Sequence, residues 1–503
     1  MIQLFTIHRA AASVKVRVKI MRRLGVRVLA AALAVAGIGM TPHSRYGRTA
    51  DSGQASFPSA PVALTGPLRI TASTRIAPGT YRVSVPKGTA AIEIDADGVT
   101  LDLGGVTLIG SAADAPHEEL GPNPAGAMDH GEYGPPWERE GTGVHAEGHS
   151  RLTIRGGAIH GYRFGIFIQG GDDITVSGVD VGGNRAQRLV STSTHRDDRD
   201  WVDIFHLDAW ESYGAGLYLK DVQAAWIENV QAHGAQNGVM LANVTHATVT
   251  RSDLSRNSGW GIALFRSSGN DLLDNHADWD VRCEGTTYSA GCDSAGVLLM
   301  DGSNSNRVIG NSFTHSGDGY FLSHPETGAT SNENIVAFND GSYSPHNAFE
   351  STFTSGDQFY HNVADHCDYG FWLGFSHDTT VIDNHIEGSK RDGIAIEHGS
   401  GNVLSRNQIL HNGGAGIRLF RSQPRSKPSA HYAILQNPIG GNKVGILLDQ
   451  TDDVAISGNE FTDNEVGVKI EKTSAHVVLH ANHFSPPGAP TVRADDPKSL
   501  EPY

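Results

Sequence analysis

The sequence predicts an all-β, single-domain parallel β-helix, a solenoid whose rungs are stacked repeats of one unit. Two observations predict it: a glycine that returns at a near-constant spacing, and a short apolar segment that follows each return. The gaps between these glycine slots are 22, 23, 35, 23, 29, 22, 23, 23, 29 and 22 residues. The slots are Gly216, Gly238, Gly261, Gly296, Gly319, Ala348, Gly370, Gly393, Gly416, Gly445 and Gly467.

Residues after each slot alternate as in a strand. Positions one and three are apolar in nearly every rung, as in Leu217 and Leu219, whereas position two is chemically mixed. We therefore expect positions one and three to face the core and position two to face outward.

Asparagines recur in phase with the glycine slots and form a predicted ladder along the coil. Asn tolerates the left-handed backbone of a tight bend, and stacked amides bond from rung to rung. Tetratricopeptide and ankyrin repeats are excluded because they are longer and need amphipathic helices. The ladder comprises Asn311, Asn339, Asn362, Asn384, Asn407, Asn437, Asn459 and Asn482.

The chain divides into four predicted parts. Residues 1–45 read as an export signal with an upstream extension, because arginines precede a short apolar run from Val28 to Met40. Residues 46–62 form a linker, 63–484 the β-helix and 485–503 a Pro-rich tail. The alternative for the first part is an uncleaved anchor, although the apolar run is shorter than the roughly 20 residues of a membrane span.

The composition and net charge restrict the classes of binding partner that we expect. The 503 residues are 39% hydrophobic and carry a formal net charge of -16, which argues against nucleic acid and anionic lipid. We expect a secreted, periplasmic or cell-surface monomer that leaves the membrane once its signal is removed.

Three cysteines are present. Cys283 and Cys292 flank the loop CEGTTYSAGC, and in an oxidising compartment this spacing predicts a disulfide. Cys367 is left over and is expected to be a small buried residue. No zinc-type spacing occurs.

The repeats resemble the PbH1 repeats of the right-handed, pectate-lyase-like superfamily, which includes carbohydrate-binding/sugar-hydrolysis and NosD-like domains. The segment IDADGVTLDLGGVTLIG, which begins at Ile94, is similar to the entry strands of such proteins. The resemblance covers roughly residues 63–484 and implies a right-handed coil; it does not define one activity, because this fold hosts many chemistries.

Three insertions interrupt the rhythm: 112–141, 183–213 and the cysteine loop. Insertions in solenoids become loops that often line the binding face, but they also serve as caps or decoration. If the second insertion folds over a groove, Asp203, Asp208 and Glu211 are alternative catalytic acids.

Rungs lie roughly 4.8 Å apart, so outward residues at one position form a stripe along the coil. In this sequence the outward stripes interleave aromatics with isolated charges. That mixture favours sugar binding, since ring faces stack on aromatics and hydroxyls bond to charged groups. The alternative is that an inserted loop packs on the stripe.

Glu350 is the predicted catalytic acid. It lies between Phe321 and Trp372 on neighbouring rungs, in the unit that breaks the repeat with Ala348 and Ser351. An acid between aromatics is desolvated, which raises its pKa and suits a general acid.

Glu397, two rungs on and two positions over, is the predicted second carboxylate. A separation of roughly 6.5 to 9.5 Å between the two carboxyl groups suits an inverting glycosidase, and a closer approach suits a retaining one. The alternative is that either glutamate binds hydroxyls or pairs with an arginine.

The predicted substrate-binding residues share these outward stripes. No cofactor is predicted, and no consecutive acidic cluster indicates calcium, which some polysaccharide lyases of this fold bind. The set is Phe321, Trp372, His324, His398, Arg266, Arg418 and Asp301.

Motifs of related enzymes are incomplete here. Polygalacturonase-type motifs find no convincing match, and Ser344–Asn347 reads Ser-Pro-His-Asn where mannuronan epimerases carry Asp-Pro-His-Asp. The sequence therefore favours a glycoside hydrolase acting on a polysaccharide or glycoconjugate. A lyase acting on a uronate-containing glycan and a non-catalytic carbohydrate-binding protein are the alternatives.

Overall fold

The chain coils into a parallel β-helix whose rungs stack in three sheets, A, B and C. The computed structural model describes residue 57 and residues 60–110, 141–185, 201–282, 292–323, 329–422, 429–471, 473–486 and 491–501. All of these fall in one compact unit, Ala55–Tyr503. The predicted fold class is confirmed.

Every rung contributes a strand to sheets A and B. Sheet A consists of Leu68–Ile70, Ala90–Ile94, Thr142–Glu147, Phe164–Gln169, Ala215–Lys220, Val239–Ala242, Trp260–Phe265, Ala295–Met300, Asp318–Leu322, Asn347–Ser351, Tyr369–Trp372, Ile394–Glu397, Ala415–Phe420, Val444–Leu448, Val466–Ile470 and Val492–Ala494. Sheet B consists of Thr74–Arg75, Thr100–Asp102, Thr153–Arg155, Asp172–Ser177, Gln223–Glu228, Thr245–Thr250, Asp271–Leu273, Arg307–Ile309, Ile335–Ala337, Gln358–Tyr360, Thr380–Ile382, Val403–Ser405, Ser429–Leu435, Thr451–Ser457, Ala475–His480 and Leu500–Glu501.

Sheet C is shorter and comes in two parts, three strands near the start and six near the end of the coil. One α-helix, Leu207–Tyr213, and one 3-10 turn, Pro497–Ser499, complete the described elements. The described part of the chain contains no helix with the length and apolar character of a membrane span. The strands of sheet C are Gly79–Arg82, Val106–Ile109, Ala158–His160, Val363–Asp365, His385–Glu387, Gln408–Leu410, Pro438–Gly440, Glu460–Thr462 and His483–Ser485.

The glycine slot is explained by close approach between rungs. A Cβ at Gly393 would lie 2.7 Å from the carbonyl oxygen of Gly416, and one at Gly370 would lie 2.6 Å from both the Gly393 carbonyl oxygen and the Ile386 side chain. The slot residue, here position zero, therefore faces the core, as positions one and three do. Because positions zero and one both face inward, the outward positions of sheet A are two, four and the residue directly before the slot, here position minus one.

The asparagine ladder is confirmed and sits in the core. The backbone N–H and Nδ2 of Asn362 both donate to Oδ1 of Asn384, at 2.8 and 3.0 Å. Asn384 repeats the pattern onto Asn407, at 3.0 and 2.9 Å. Each amide thus satisfies buried backbone groups at a bend, where sheet hydrogen bonds are interrupted.

The second insertion packs on the outer face of sheet A, so the alternative of a loop covering the stripe holds for this part of the coil. Trp210, in the helix Leu207–Tyr213, contacts Trp260 with ring centroids 4.5 Å apart. Together they form a second apolar cluster outside the coil, here called the outer cluster. Its buried members are Phe164, Val202, Ile204, Ala209, Trp210, Tyr213, Ala215, Tyr218, Met240, Ala242, Trp260, Ala263, Phe265, Ala295, Leu298, Met300 and Phe321.

The coil extends past its predicted end at residue 484. Val492–Ala494 pairs with Val466–Ile470 in sheet A, and Leu500–Glu501 pairs with Ala475–His480 in sheet B. The predicted tail 485–503 thus adds a rung, because Val492 and Leu500 pack against the core. The predicted export signal and the insertion 112–141 lie outside the described residues, except for Gly141.

The unit that breaks the repeat contains a buried polar group. Ser351, at inward position three, donates from Oγ to Oδ2 of Asp357 at 2.8 Å. The backbone N–H of Asn334 donates to Oδ1 of Asp357 at 2.8 Å. Serine replaces an aliphatic residue here because the core of this rung contains a carboxyl group to be satisfied.

We expect Asp357→Asn to stabilise the protein at neutral and alkaline pH. Burial raises the pKa of Asp357 to about 6 from 3.8. The folded state therefore retains a proton between these values, so wild-type stability falls as pH rises through this window and stays lower above it. The free energy of unfolding of the variant minus that of the wild type should be more favourable at about pH 8 than at about pH 4, by on the order of 3 kcal/mol. Urea unfolding at the two pH values measures it. The exposed Asp378→Asn is the control, and an equal difference at both pH values would contradict the prediction.

Candidate active site

Three ionisable side chains meet on the outer face of sheet A, where the outer cluster ends. Nδ1 of His346 donates to Oδ1 and Oδ2 of Asp318, at 3.0 and 3.2 Å. Asn347 donates its backbone N–H to Asp318 at 2.9 Å and its Nδ2–H to Glu350 at 2.5 Å. Ligand atoms of Asp318, His346 and Glu350 all lie within 4.8 Å of one another. The group brings two acids and an imidazole to one point.

The local fold explains this meeting. Asp318 and Asn347 are the first residues of successive strands of sheet A, at outward position minus one. Glu350 follows at position two of the same strand as Asn347, and its neighbours in register are Phe321 and Trp372. The acids beside His346 thus come from the preceding rung, as Asp318, and from the strand Asn347–Ser351, as Glu350. Positions 344 and 347 are a serine and an asparagine.

The electrostatics of the group hold Glu350 protonated at neutral pH. Desolvation and the negative charge of Asp318 raise the pKa of Glu350 to about 8, against the opposing charge of His346. Desolvation opposes the imidazolium, but the charge of Asp318 and its hydrogen bond raise the pKa of His346 to about 10. Asp318 is 2% exposed, so its charge acts with little solvent screening.

Glu397 lies on the same face but outside this group. Its carboxylate accepts a hydrogen bond from Oγ of Ser422, and Nε2 of His398 lies 3.5 Å from Oε1. It remains partly open to solvent, with 16% of its side chain exposed. Glu397 is thus a second acid on the open face, two rungs beyond Glu350.

An aromatic platform adjoins Glu350 on its C-terminal side. Trp372 is half-buried and meets Tyr369 and Phe420 edge to face, with centroids 5.0 and 6.1 Å apart. The guanidinium of Arg418 lies 4.3 Å from the Phe420 ring centroid and its Nη1 lies 3.8 Å from Asp392. These contacts hold the Trp372 indole in one orientation beside the acid.

Phe321, Arg266 and Asp301 are not part of this platform. Phe321 is 4% exposed and belongs to the outer cluster, which leaves its faces no room for a sugar ring. Arg266 and Asp301 form an ion pair with each other at 2.6 Å, at the bend between sheets A and B.

The other predicted residues lie outside the group of Asp318, His346 and Glu350. His398, at the same kind of bend as Asp301, is buried and stacks on Phe375 with centroids 4.8 Å apart. His324 and Cys283 lie outside the described residues. Cys292 is disulfide-bonded, and Cys367 is a free, buried cysteine.

The acids of the second insertion have structural partners. Asp203 is 1% exposed and accepts hydrogen bonds from the backbone N–H groups of Phe205 and His206. Glu211 accepts from Tyr218 Oη at 2.8 Å and from Lys220 at 2.7 Å. These contacts hold the loop against sheet A.

The sequence interpretation singled out Glu350 but missed His346 and Asp318. Alternation predicted that position two faces outward and assigned no outward residue before the slot, whereas the inward slot adds an outward position directly before it. An acid or amide directly before the slot, as in Asp318 and Asn347, is the signal that was available. The Pro-His pair was noted only for the acids that it lacks.

Two family descriptions match parts of the chain. "Periplasmic copper-binding protein (NosD)" matches residues 301–488, and "Right handed beta helix region" matches residues 197–373. No curated protein matches the chain. The fold and the second of these matches define a right-handed parallel β-helix protein.

Solved structures similar to this chain are similar at low identity. The mannuronan C-5 epimerase AlgE6 A-module of Azotobacter vinelandii is 13% identical, with a TM-score of 0.42, over 83% of this chain and 91% of that one. The periplasmic alginate epimerase AlgG is 13% identical, with a TM-score of 0.37, over 83% and 76%. The Dettilon tailspike protein is 13% identical, with a TM-score of 0.37, over 85% and 63%.

The candidate ligand group of the described ranges does not suit Cu(I). Cu(I) favours soft Cys and Met ligands, whereas the one group of His, Cys, Asp and Glu side chains found in the described ranges is Asp318, His346 and Glu350. It supplies a single imidazole, and Asn347 donates N–H groups to both carboxylates.

Proposed function

We propose that this protein is an exported glycoside hydrolase that acts on a polysaccharide or glycoconjugate, with Glu350 as general acid. The observation that carries the proposal is a carboxyl group on the open face of the coil whose pKa is about 8, beside an aromatic platform. A carboxylic acid that stays protonated at neutral pH suits protonation of a glycosidic oxygen.

In the proposed reaction Glu350 donates its proton to the leaving oxygen as the glycosidic C–O bond breaks. Glu397 takes a proton from water, whose oxygen forms the new bond to the anomeric carbon. The Glu350 anion that results is stabilised by the neighbouring imidazolium of His346 and by the Nδ2–H of Asn347. Glu350 then regains a proton from solvent and Glu397 releases one to solvent, so no co-reactant besides water is needed.

The proposed location is the periplasm or the cell exterior, and the proposed state is a monomer. The arginine-flanked apolar run before residue 41 supports export, and the family described as periplasmic matches residues 301–488. The disulfide at Cys292 is consistent with an oxidising compartment.

A uronate lyase is the second candidate, and two guanidinium groups near Trp372 favour it. Arg391 donates to Tyr369 Oη at 3.2 Å and lies 3.2 Å from Asp368, and Arg418 lies on the other side of the platform. Arginine pairs with carboxylates in bidentate geometry, so an acidic sugar has partners here. In the lyase reaction, the neutral form of His346 is the base that removes a proton from the uronate.

Incubation with a panel of neutral and uronic-acid polysaccharides tests the proposal. New reducing ends without ultraviolet absorption indicate hydrolysis, and an unsaturated product that absorbs in the ultraviolet indicates a lyase. Binding of a polysaccharide with no product from any of them would overturn both and leave a binding protein.

The pH profile of kcat provides an independent test. A hydrolase needs Glu350 protonated, so we expect activity to fall about tenfold per pH unit above about pH 8. A lyase that uses neutral His346 as base would instead gain activity as pH rises towards about 10.

A further inference from the structure

We infer that the site accepts the end of a carbohydrate chain and not its interior, an inference that rests on the proposed function. It comes from the difference between the two sides of Glu350 along the outer face of sheet A. One side is closed by the protein's own side chains, and the other is open.

The closed side begins at the rung directly before Glu350. On the five preceding rungs the position-two residues are all buried, although they point away from the coil axis. At roughly 4.8 Å per rung, about 20 Å of the face is unavailable to a sugar chain. These residues are Tyr218, Met240, Ala263, Leu298 and Phe321.

The closure is part of the folded structure. Trp210 packs on Trp260 and on Phe265, with centroids 4.5 and 5.2 Å apart. Glu211 adds hydrogen bonds from Tyr218 and Lys220. Lifting this cover would expose several buried aromatic side chains, whose burial stabilises the closed arrangement.

The open side begins at Trp372. On the following rungs, position two holds Ala395, Arg418, Leu447 and Lys469 in register. Arg418, Leu447 and Lys469 are half-buried, whereas Ala395, between Trp372 and Arg418 in the register, is buried. The face therefore offers an apolar platform followed by cationic groups, all on one side of the acid.

A chain that lies along the coil axis can extend from Glu350 only towards the later rungs. The glycosidic oxygen that reaches Glu350 is then close to a chain end, because the units on its other side meet Phe321 and the cover. Each cleavage releases one short product, and internal bonds of a long chain do not reach the acid.

Trp372→Ala should raise KM about 10- to 100-fold with a smaller change in kcat, because burial of an apolar side chain contributes about 1.5–3 kcal/mol. The matched control is Tyr343→Ala, which removes an aromatic that is 50% exposed at a bend away from this face. An equal effect of both variants, or none for Trp372→Ala, would contradict a one-sided platform.

The direct test follows the lengths of all products, detected by mass without an end label, from oligosaccharides of defined length made from the polysaccharide that yields product in the panel. We expect one short product class together with the substrate shortened by that length at the earliest time points, with little early loss of polymer viscosity. Pairs of intermediate lengths from cleavage at internal bonds at early times would overturn the inference and leave the proposed function intact. No product from any polysaccharide would overturn both.

Discussion

Glu350→Gln should lower kcat about 10²- to 10⁴-fold on the polysaccharide that the wild type cleaves, the range attributed to general acid catalysis. Glutamine keeps the size of the side chain and an acceptor for Nδ2–H of Asn347, but it has no acidic proton to donate. The fold should be retained, since Glu350 faces outward and is half-buried. The measurement is kcat with protein whose unfolding midpoint matches the wild type.

Glu387→Gln is the matched control, because Glu387 lies in sheet C, away from this face. It should leave kcat unchanged. If Glu350→Gln retains activity while Glu397→Gln abolishes it, Glu350 is not the acid and the assignment of roles is wrong. If sugar binding is lost along with kcat, Glu350 is a binding residue.

Asn384→Leu should destabilise the protein by about 3–5 kcal/mol, because each buried polar group left without a partner costs roughly 1–3 kcal/mol. The substitution removes the Oδ1 that accepts from the N–H and Nδ2 of Asn362, and Nδ2 then keeps only the carbonyl of Val336. It also removes the Nδ2 donor to Oδ1 of Asn407, which keeps the backbone N–H of residue 384. Leucine has a similar volume, so the loss measures hydrogen bonding more than packing. The measurement is the urea unfolding midpoint, with hydrogen exchange of the neighbouring rungs.

The control is Asn482→Leu at the end of the ladder. Asn482 accepts from the N–H and Nδ2 of Asn459, at 2.9 and 3.0 Å, but it is half-buried, so water can replace the amide. We expect less than half of the loss seen for Asn384→Leu. Equal losses would show that the ladder contributes through packing alone.

The repeat was predictable because its causes are local and recur in every rung. At slot zero a Cβ would meet the carbonyl of the next rung, and at the bends an amide is needed to satisfy buried backbone groups. Both requirements act on a single residue type at a constant spacing, so both leave a visible period. The same repeat spacing placed Glu350 between Phe321 and Trp372, and the strand register confirms it.

The candidate site was only partly predictable. Strict alternation assigned no outward residue to position minus one, so Asp318 was overlooked. Phe321 and Trp372 occupy equivalent positions in sequence and differ only in what covers them. The cover comes from an insertion more than 100 residues earlier in the chain, and no local pattern reports where such a loop packs.

The amino-acid sequence by itself determined the coil, its period, its inward positions one and three, and the unit where the repeat lapses around Ala348. The tertiary structure decided which stretch of the outer face is closed, and it decided that His346 meets Asp318 and Glu350. The physical reason is that steric and hydrogen-bonding constraints between adjacent rungs act at every repeat. Burial and charge at one outward position depend instead on segments that are distant in sequence and close only in the folded chain.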